Sequence, residues 1–345
     1  MTRRAHVPLS PRQLRPNRLH PSRAALAGAI LAVGVLTAGC VSFPAPESPA
    51  PSAAGLQPTP PGSEGSVPSE PAPDAENCNA TASLRPPDQM PAANEMPKGS
   101  TMAQIQARGR LIVGTDIGSN PFSFRDPISG DIQGFDVDIA REIAAAIFGD
   151  RNRVEYRVLS SAERTQALQD GSVDVVTKTM SITCDRIKTV SFSVPYYLSS
   201  QRILVPRNSG IDDVDGLANK RVCTARGSTS IGRIQTEQPH AKVITTTTWA
   251  DCLVMLQQGQ VDAVTTDDAI LAGLAIQDPW VHIVGPGLGA EYYGVGIPQG
   301  HNDIVRFVNG VLANIKANGR WWEIYNQWLA DIGPGYGPPQ ANYRD

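Results

Sequence analysis

A ten-residue pattern that occurs twice constrains the fold of this chain most strongly. Residues 168–177 read LQDGSVDVVT and residues 256–265 read LQQGQVDAVT. In each copy the end of a helix is followed by a glycine suited to positive φ and then by a β-branched run of strand length. The repeat predicts two similarly built α/β halves within one chain.

The residues that follow the two copies carry opposite charges. Ser181, Thr183 and Arg186 follow the first strand and predict a capped helix whose N-terminus and guanidinium receive a carboxylate. The second strand runs into Asp267. Open α/β sheets bind ligands beyond the carboxyl ends of their strands, so two such edges facing each other would suit a zwitterion such as an α-amino acid. For the first copy alone, an arginine paired with a surface acid is the alternative.

Further apolar patterns extend both halves. They predict helices at 101–107, from 135 onward, at 304–315 and at 321–329, and strands at 111–114, 154–158, 203–205, 222–223, 243–244, 261–264, 281–284 and 293–297. Aromatic residues at helical spacing in the last helix are expected to pack in the core. Two chain crossings between the halves imply a two-strand hinge, as in periplasmic binding proteins that close around a ligand.

The N-terminal segment predicts export and a lipid anchor. Residues 1–39 contain six arginines and no acid, and an uncharged run at 24–36 is too short to span a bilayer. This run ends in LTAGC, which resembles a bacterial lipobox and predicts removal of residues 1–39 as a signal peptide and acylation of Cys40. A plain signal peptide with a free cysteine is the alternative. Because this basic charge would be removed, nucleic acid is not an expected partner.

Residues 40–77 are expected to form a tether. The stretch is rich in proline, alanine and serine and has no Lys or Arg, so it cannot bury enough apolar surface to order itself. At about 3.1 Å per residue in polyproline II, it could hold a domain up to roughly 100 Å from the membrane. A spacer without a length requirement is an equally good interpretation.

The other cysteines predict disulfides. Cys223 and Cys252 both lie in the second half and are the preferred pair, which leaves Cys78 with Cys184. Four cysteines allow three connectivities, and a zinc site is the alternative, although no Cys-x-x-Cys supports it.

Together these motifs resemble the family 3 extracellular solute-binding proteins, which are amino-acid receptors of ABC importers, and especially actinobacterial glutamine- or glutamate-binding lipoproteins. The resemblance covers 104–329 and rests on RLIVG at 110–114, GFDVDI at 134–139, residues 173–186, Phe192, Ser193, Tyr196, Tyr197, DAV at 262–264 and residues 318–328.

The resemblance implies a two-lobed type II periplasmic-binding-protein fold, an α/β architecture in which each lobe is a mixed sheet flanked by helices. Lobe 1 is expected at 78–198 and, after the chain returns, at 292–332. Lobe 2 is expected at 199–291 and a loose tail at 333–345.

The resemblance also implies roles for individual residues. Arg186, with backbone N–H groups near Ser228 and Thr229, would hold the α-carboxylate. Asp267 would take the α-ammonium together with oxygens at Thr179 and Ser181. The residues expected at the ligand side chain are Asp116, Ser161 and Arg164. The sequence departs from many relatives at Ser119, where an aromatic is frequent, and at Lys178, where small residues are common.

These charges predict a small acidic or amide ligand from the set Glu, Asp, Asn and Gln. Arg164 would attract a carboxylate, and Asp116 would accept from an amide, with Lys178 or Arg226 as further contributors. A charge-balanced polar pocket argues against Arg, Lys, Leu or Phe as ligand.

We expect a monomer without cofactor or metal that docks on an ABC permease. A membrane sensor protein is the alternative partner. An enzyme is the rival class, since a few relatives on this fold are dehydratases, but the chain has isolated histidines and no Gly-x-Ser-x-Gly.

Overall fold

The computed structural model describes residues 58–65, 78–333, 335 and 337–345. The predicted signal peptide, Cys40 and most of the predicted tether lie outside these residues. No helix in the described part of the chain is long and apolar enough to cross a membrane.

The helices follow the predicted apolar patterns. Ile139, Ile143 and Ile147 form a fully buried stripe on the helix predicted from 135 onward. The described α-helices are α1 Thr101–Arg108, α2 Phe135–Phe148, α3 Arg164–Gln169, α4 Ser230–Glu237, α5 Trp249–Gln257, α6 Asp268–Gln277, α7 Asn302–Ala317 and α8 Arg320–Trp328.

The strands are short in the first half and longer in the second. The predicted bounds 154–158 and 281–284 are confirmed. The described strands are β1 Glu64–Gly65, β2 Ala82–Ser83, β3 Leu111–Thr115, β4 Gly118–Ser119, β5 Ser123–Arg125, β6 Ile132–Gln133, β7 Val154–Val158, β8 Val175–Val176, β9 Val190–Phe192, β10 Tyr197–Pro206, β11 Arg221–Ala225, β12 Lys242–Thr246, β13 Ala263–Asp267, β14 Val281–Val284, β15 Ala290–Tyr293, β16 Gly296–Pro298 and β17 Asn342–Tyr343.

Two mixed sheets define two lobes. Lobe 1 contains the sheet β7-β3-β8-β16-β9, in which β3 is parallel to β7 and β8, with α1–α3, α7 and α8 around it. Lobe 2 contains β1-β12-β11-β13-β10-β14, in which β11 is parallel to β12 and β13 and is packed by α4 and α5. The two copies of the repeat end in β8 and β13, one in each lobe.

Two antiparallel strands connect the lobes. The first residues of β10 pair with β15, from Tyr197 opposite Tyr293 to Ser200 opposite Ala290. Beyond this pairing β10 continues into the sheet of lobe 2, where it pairs with β13 and β14. Tyr197 stacks on Tyr293 with ring centroids 5.5 Å apart. This geometry agrees with the predicted two-strand hinge.

Disulfides tie each lobe, and both predicted pairings are confirmed. Cys223 in β11 is bonded to Cys252 in α5, and Cys78 is bonded to Cys184 in lobe 1. As predicted, Trp321 of α8 is core, although its neighbour Trp322 is partly exposed.

Three local predictions are wrong. The helix expected after Ser181 is only a 3-10 turn, Arg186–Lys188. The chain cannot extend it, because strand β9 begins two residues later at Val190. The strand expected at 173–177 is reduced to β8. The strand expected at 293–297 is split, because the chain leaves the pairing with β10 at Tyr293 and joins the sheet of lobe 1 as β16.

Two short segments whose composition indicates little order are paired with strands in the structure. In the tail, which was expected to be loose, β17 pairs in parallel with β2, and the Asp345 carboxylate accepts from the Arg306 guanidinium. In the predicted tether, β1 pairs with β12 of lobe 2. Both segments form backbone hydrogen bonds to a strand that is distant in the sequence, and composition alone does not reveal such a partner.

Candidate functional site

A small cavity lies where the strand ends of the two lobes face each other. Its volume is about 10 Å³, roughly the space that one water molecule needs. Lobe 1 and lobe 2 both contribute polar side chains to its lining, which consists of Ser161, Arg164, Thr179, Ser181, Ser228, Thr229, Ser230, Trp249, Thr266, Asp267 and Ile270.

Asp267 is the main anionic group in the lining. It ends β13, and its Oδ2 accepts from the Tyr293 hydroxyl of the hinge, whereas its buried Oδ1 has no hydrogen-bond partner in the described structure. Burial, together with the nearby charge of Glu291, raises the pKa of Asp267 well above its ordinary value. A buried carboxylate oxygen without a donor is costly, so this position favours a cationic ligand group.

Glu291 is a second buried carboxylate, which the sequence did not single out. Its Oε2 accepts from the Thr229 hydroxyl of lobe 2 at 3.1 Å, and Ser181 of lobe 1 donates to the same carboxylate. Its Oε1 is buried without a hydrogen-bond partner. Burial raises the pKa of Glu291, against the opposing effects of the Ser181 hydrogen bond and the charge of Arg186. Glu291 therefore joins the hinge to both lobes and adds negative potential beside Asp267.

Arg186 reaches across the interlobe space. Its guanidinium donates to the Ser181 carbonyl at 2.7 Å and to the Gly227 carbonyl of lobe 2 at 3.1 Å. Its backbone N–H donates to the Thr183 hydroxyl at 3.2 Å, which is the local hydroxyl contact that the sequence predicted. The side chain is only partly buried and is not part of the cavity lining.

Arg164 is more deeply buried and lines the cavity. It donates to the carbonyls of Ser161, Lys178 and Thr179 and to that of Gly227 at 3.1 Å across the lobes. Burial and the charge of Arg186 lower the pKa of Arg164 to about 9, so it remains a cation at neutral pH. Because a guanidinium has about five N–H donors, these contacts leave roughly one for a ligand.

Asp116 and Lys178 form an ion pair behind the cavity. Lys178 Nζ donates to Asp116 Oδ2 at 2.7 Å, and Ser119 Oγ donates to the same oxygen at 2.6 Å. Although burial opposes it, the charge of Lys178 lowers the pKa of Asp116. Lys178 Nζ also lies 3.4 Å from Ser161 Oγ, which lines the cavity. Neither member of the pair is in the lining, so their ligand contacts remain predictions.

Thr179 is held in an unusual backbone conformation. Its φ is +38°, and its N–H donates to Asp136 Oδ2 at 2.7 Å. Asp136 is fully buried and also accepts from the Tyr196 hydroxyl. Burial raises the pKa of Asp136 to about 6, even though both hydrogen bonds favour its charged form. Asp136 thus fixes the strained turn that carries Thr179 into the cavity.

Several lining residues escaped prediction, and one predicted contributor lies outside the lining. Four lining residues look in the sequence like ordinary helix or strand residues: Trp249, Ile270, Ser230 and Thr266. One signal was available, since Trp249 directly follows the N-cap Thr248 and so marks a helix start near a strand end. Arg226 was expected to contribute to specificity. It is outside the lining and forms an ion pair with Glu64, so its contact with a ligand stays a prediction.

No group of three or more His, Cys, Asp or Glu side chains suited to hold a metal ion occurs in the described part of the chain. The site consists of hydroxyls, carboxylates and guanidinium groups, which recognise polar organic ligands through hydrogen bonds and charge.

The chain belongs to the bacterial extracellular solute-binding proteins, family 3, whose model matches residues 111–331. The fold is accordingly that of the type II periplasmic binding proteins. Among its relatives is the ABC transporter glutamine-binding protein GlnH of Bacillus subtilis (strain 168), which is 34% identical over 240 residues, or 69% of this chain and 88% of the relative.

Another relative is the glutamate-binding protein GluB of Corynebacterium efficiens, 29% identical over 70% of this chain and 85% of its own. A solved structure, that of the ancestral amino acid-binding protein AncCDT-1, a precursor of cyclohexadienyl dehydratase, superposes with a TM-score of 0.61 at 32% identity. The superposition covers 67% of this chain and 100% of the AncCDT-1 chain.

Proposed function

We propose that this chain captures a small L-amino acid with an acidic or amide side chain between its lobes and delivers it to an ABC importer. The observation that carries the proposal is the buried Asp267 oxygen without a donor, within the same cavity as the Arg164 cation. The glutamine- and glutamate-binding relatives favour Gln and Glu within the set Glu, Asp, Asn and Gln.

The α-ammonium would donate to Asp267 Oδ1, with oxygens at Thr179 and Ser181 completing its shell. The α-carboxylate would accept from Arg186 and from backbone N–H groups of Ser228 and Thr229. Since a bidentate guanidinium–carboxylate contact is stronger than a bond to a neutral carbonyl, the ligand would displace the Gly227 carbonyl from Arg186.

The ligand side chain would extend toward Ser161 and Arg164. Behind them, the Asp116–Lys178 pair keeps this end of the cavity polar and close to neutral. An apolar ligand would leave these buried groups unpaired, and a basic ligand would face Arg164. The pocket is therefore suited to a carboxylate or an amide.

We further propose that the protein is not an enzyme and that it works outside the cytoplasm on a lipid anchor at Cys40. The family and its transport-protein relatives support the first statement, and the lipobox-like LTAGC supports the second. A Cys40→Ala chain is expected to leave the membrane fraction. Unchanged processing and membrane association of this variant would rule the anchor out.

Isothermal titration of the purified chain against Gln, Glu, Asn, Asp, Arg and Leu tests the ligand class. We expect binding within the first four only. We also expect Arg186→Ala to leave at best millimolar affinity, and Arg164→Ala to weaken Glu and Asp more than Gln and Asn. Tight binding of Arg or Leu would contradict the proposed specificity, and equal losses for Arg164→Ala would remove that residue from the side-chain subsite.

A further inference from the structure

Residues 58–65, which lie within the predicted tether, are docked on the edge of lobe 2. Glu64 is paired opposite Thr245 and Gly65 opposite Ile244, so β1 extends the sheet as an antiparallel strand beside β12. At the start of the segment, the Pro58 carbonyl accepts a hydrogen bond from Gln260 Nε2 at 3.5 Å. The segment covers backbone groups that an edge strand would otherwise present to solvent or to another chain.

A turn built for this contact precedes β1. Ser63 donates to the Pro60 carbonyl through both its N–H, at 3.1 Å, and its hydroxyl, at 2.7 Å. Gly62 has a φ of +79°, and a Cβ at this position would lie 2.7 Å from Thr247 Oγ1. The turn therefore needs glycine both for its backbone conformation and for its closeness to lobe 2.

Arg226 connects the docked segment to the cavity. Its guanidinium donates to the Gly62 carbonyl at 2.6 Å and pairs with Glu64 at 2.8 Å. The next residue, Gly227, accepts from Arg164 and Arg186 of lobe 1, and a Cβ on it would lie 2.5 Å from Ala162. Ser228 and Thr229 then line the cavity. Residues 226–229, here termed the cleft loop, thus contact the tether on one side and lobe 1 and the cavity on the other.

We propose that the edge of lobe 2 is a docking surface for the chain's own residues 58–65, and that their docking is coupled through the cleft loop to ligand binding. The coupling rests on the proposed function, whereas the docking surface does not. A ligand bound to Ser228 and Thr229 would fix the cleft loop while Gly227 stays bonded to Arg164, and it would thereby fix Arg226 in the position that holds Gly62 and Glu64. Thermodynamic linkage then requires the docked segment to strengthen ligand binding by the same factor.

The chain offers a matched pair of substitutions for the test. Gly62→Ala is expected to undock the segment without altering any side chain of the cleft loop. Gly65→Ala is its control, because a Cβ there meets no atom within 4 Å. Hydrogen exchange of residues 58–65 and titration with L-glutamine and L-glutamate are measured on the full chain and on both variants.

Without ligand, we expect the amides of residues 64–65 to exchange more slowly in the wild type and in Gly65→Ala than in Gly62→Ala. Saturating ligand is expected to slow their exchange about fivefold further in the wild type. Gly62→Ala is expected to weaken the ligand about fivefold, near the lower end of typical allosteric couplings. Arg226→Ala removes the same contacts from the cleft loop, so it should also speed the exchange of residues 64–65 and weaken ligand binding.

Equal exchange in the wild type and Gly62→Ala without ligand would overturn the docking surface. Ligand binding that leaves both the exchange of residues 58–65 and the affinity of Gly62→Ala unchanged would overturn the coupling. If neither amino acid binds any form of the chain, the proposed function and the coupling both fail, while the exchange data without ligand still decide whether the segment docks.

Discussion

The two lobes present chemically different edges to the shared cavity. In lobe 1 the charged groups are largely satisfied within the protein: Asp116 is paired with Lys178, and Arg164 donates all but one of its N–H groups to backbone carbonyls. In lobe 2 and the hinge, Asp267 and Glu291 each retain a buried oxygen without a donor. The difference indicates that lobe 1 is a preorganised polar wall, whereas the carboxylates opposite it each have an oxygen that can still accept a hydrogen bond.

The largest effect is expected from breaking the satisfied pair in lobe 1. Lys178→Met would leave Asp116 buried without its cation, which typically costs about 3–5 kcal/mol in the free energy of unfolding. Lys188→Met is the control, because Lys188 and Asp185 form an exposed pair with side chains 55% and 61% accessible. We expect about 0–1 kcal/mol there, measured by urea denaturation. Comparable losses in the two variants would show that the buried pair is not a special feature of lobe 1.

A pH dependence tests the support of Thr179. Because burial raises the folded-state pKa of Asp136 to about 6, the folded protein binds this proton more tightly than the unfolded chain. The stabilising contribution is complete below the unfolded pKa and is lost as pH rises through 6. The unfolding free energy of the wild type minus that of Asp136→Asn is therefore expected to fall by about 2–3 kcal/mol between pH 4 and pH 7.

Asp126 is the control for Asp136, because its pKa is shifted in the opposite direction. Hydrogen bonds from the backbone N–H groups of Ser129 and Ile128 lower the pKa of Asp126. The stability that Asp126 contributes is thus lost as pH falls below its ordinary range, so the difference between the wild type and Asp126→Asn is expected to rise with pH in acid. A flat profile for the Asp136 pair would contradict its assigned environment.

A smaller effect is expected at Glu291. Glu291→Gln keeps the shape and an acceptor for Thr229 but removes a negative charge near the ammonium position. We expect amino-acid ligands to bind about fivefold more weakly, corresponding to about 1 kcal/mol of screened attraction. Calorimetric titration of the wild type and Glu291→Gln with L-glutamine measures this loss of affinity. A loss as large as that for Asp267→Asn would mean that Glu291, rather than Asp267, is the main partner of the ammonium.

The sequence predicted the features that depend on local pattern. The repeated L-Q-x-G-x-V-D-x-V-T placed β8 and β13, and the position of both cysteines in one half paired Cys223 with Cys252. It also placed Asp267 at a strand end. These features follow from periodicity and from glycine stops, which act within a few residues.

The missed features depend on contacts between distant segments. Asp136 in the first turn of α2 looks like an acid that favours the helix dipole, and only the tertiary fold places it against Thr179. Glu291 lies in a hinge strand and becomes a site residue because Ser181 and Thr229 reach it from different lobes. The docked residues 58–65 have the composition of a disordered tether, and a partner edge compensates for it.

The central claim is that Asp267 binds the α-ammonium of the ligand. It is tested most directly by titrating the wild type and Asp267→Asn with L-glutamine and with its des-amino analogue, glutaramic acid. The account predicts that the wild type prefers glutamine by at least about 100-fold, or about 2.7 kcal/mol, and that this preference falls below about tenfold in Asp267→Asn. Equal affinity of the wild type for both compounds, or a preference that persists undiminished in Asp267→Asn, would contradict it.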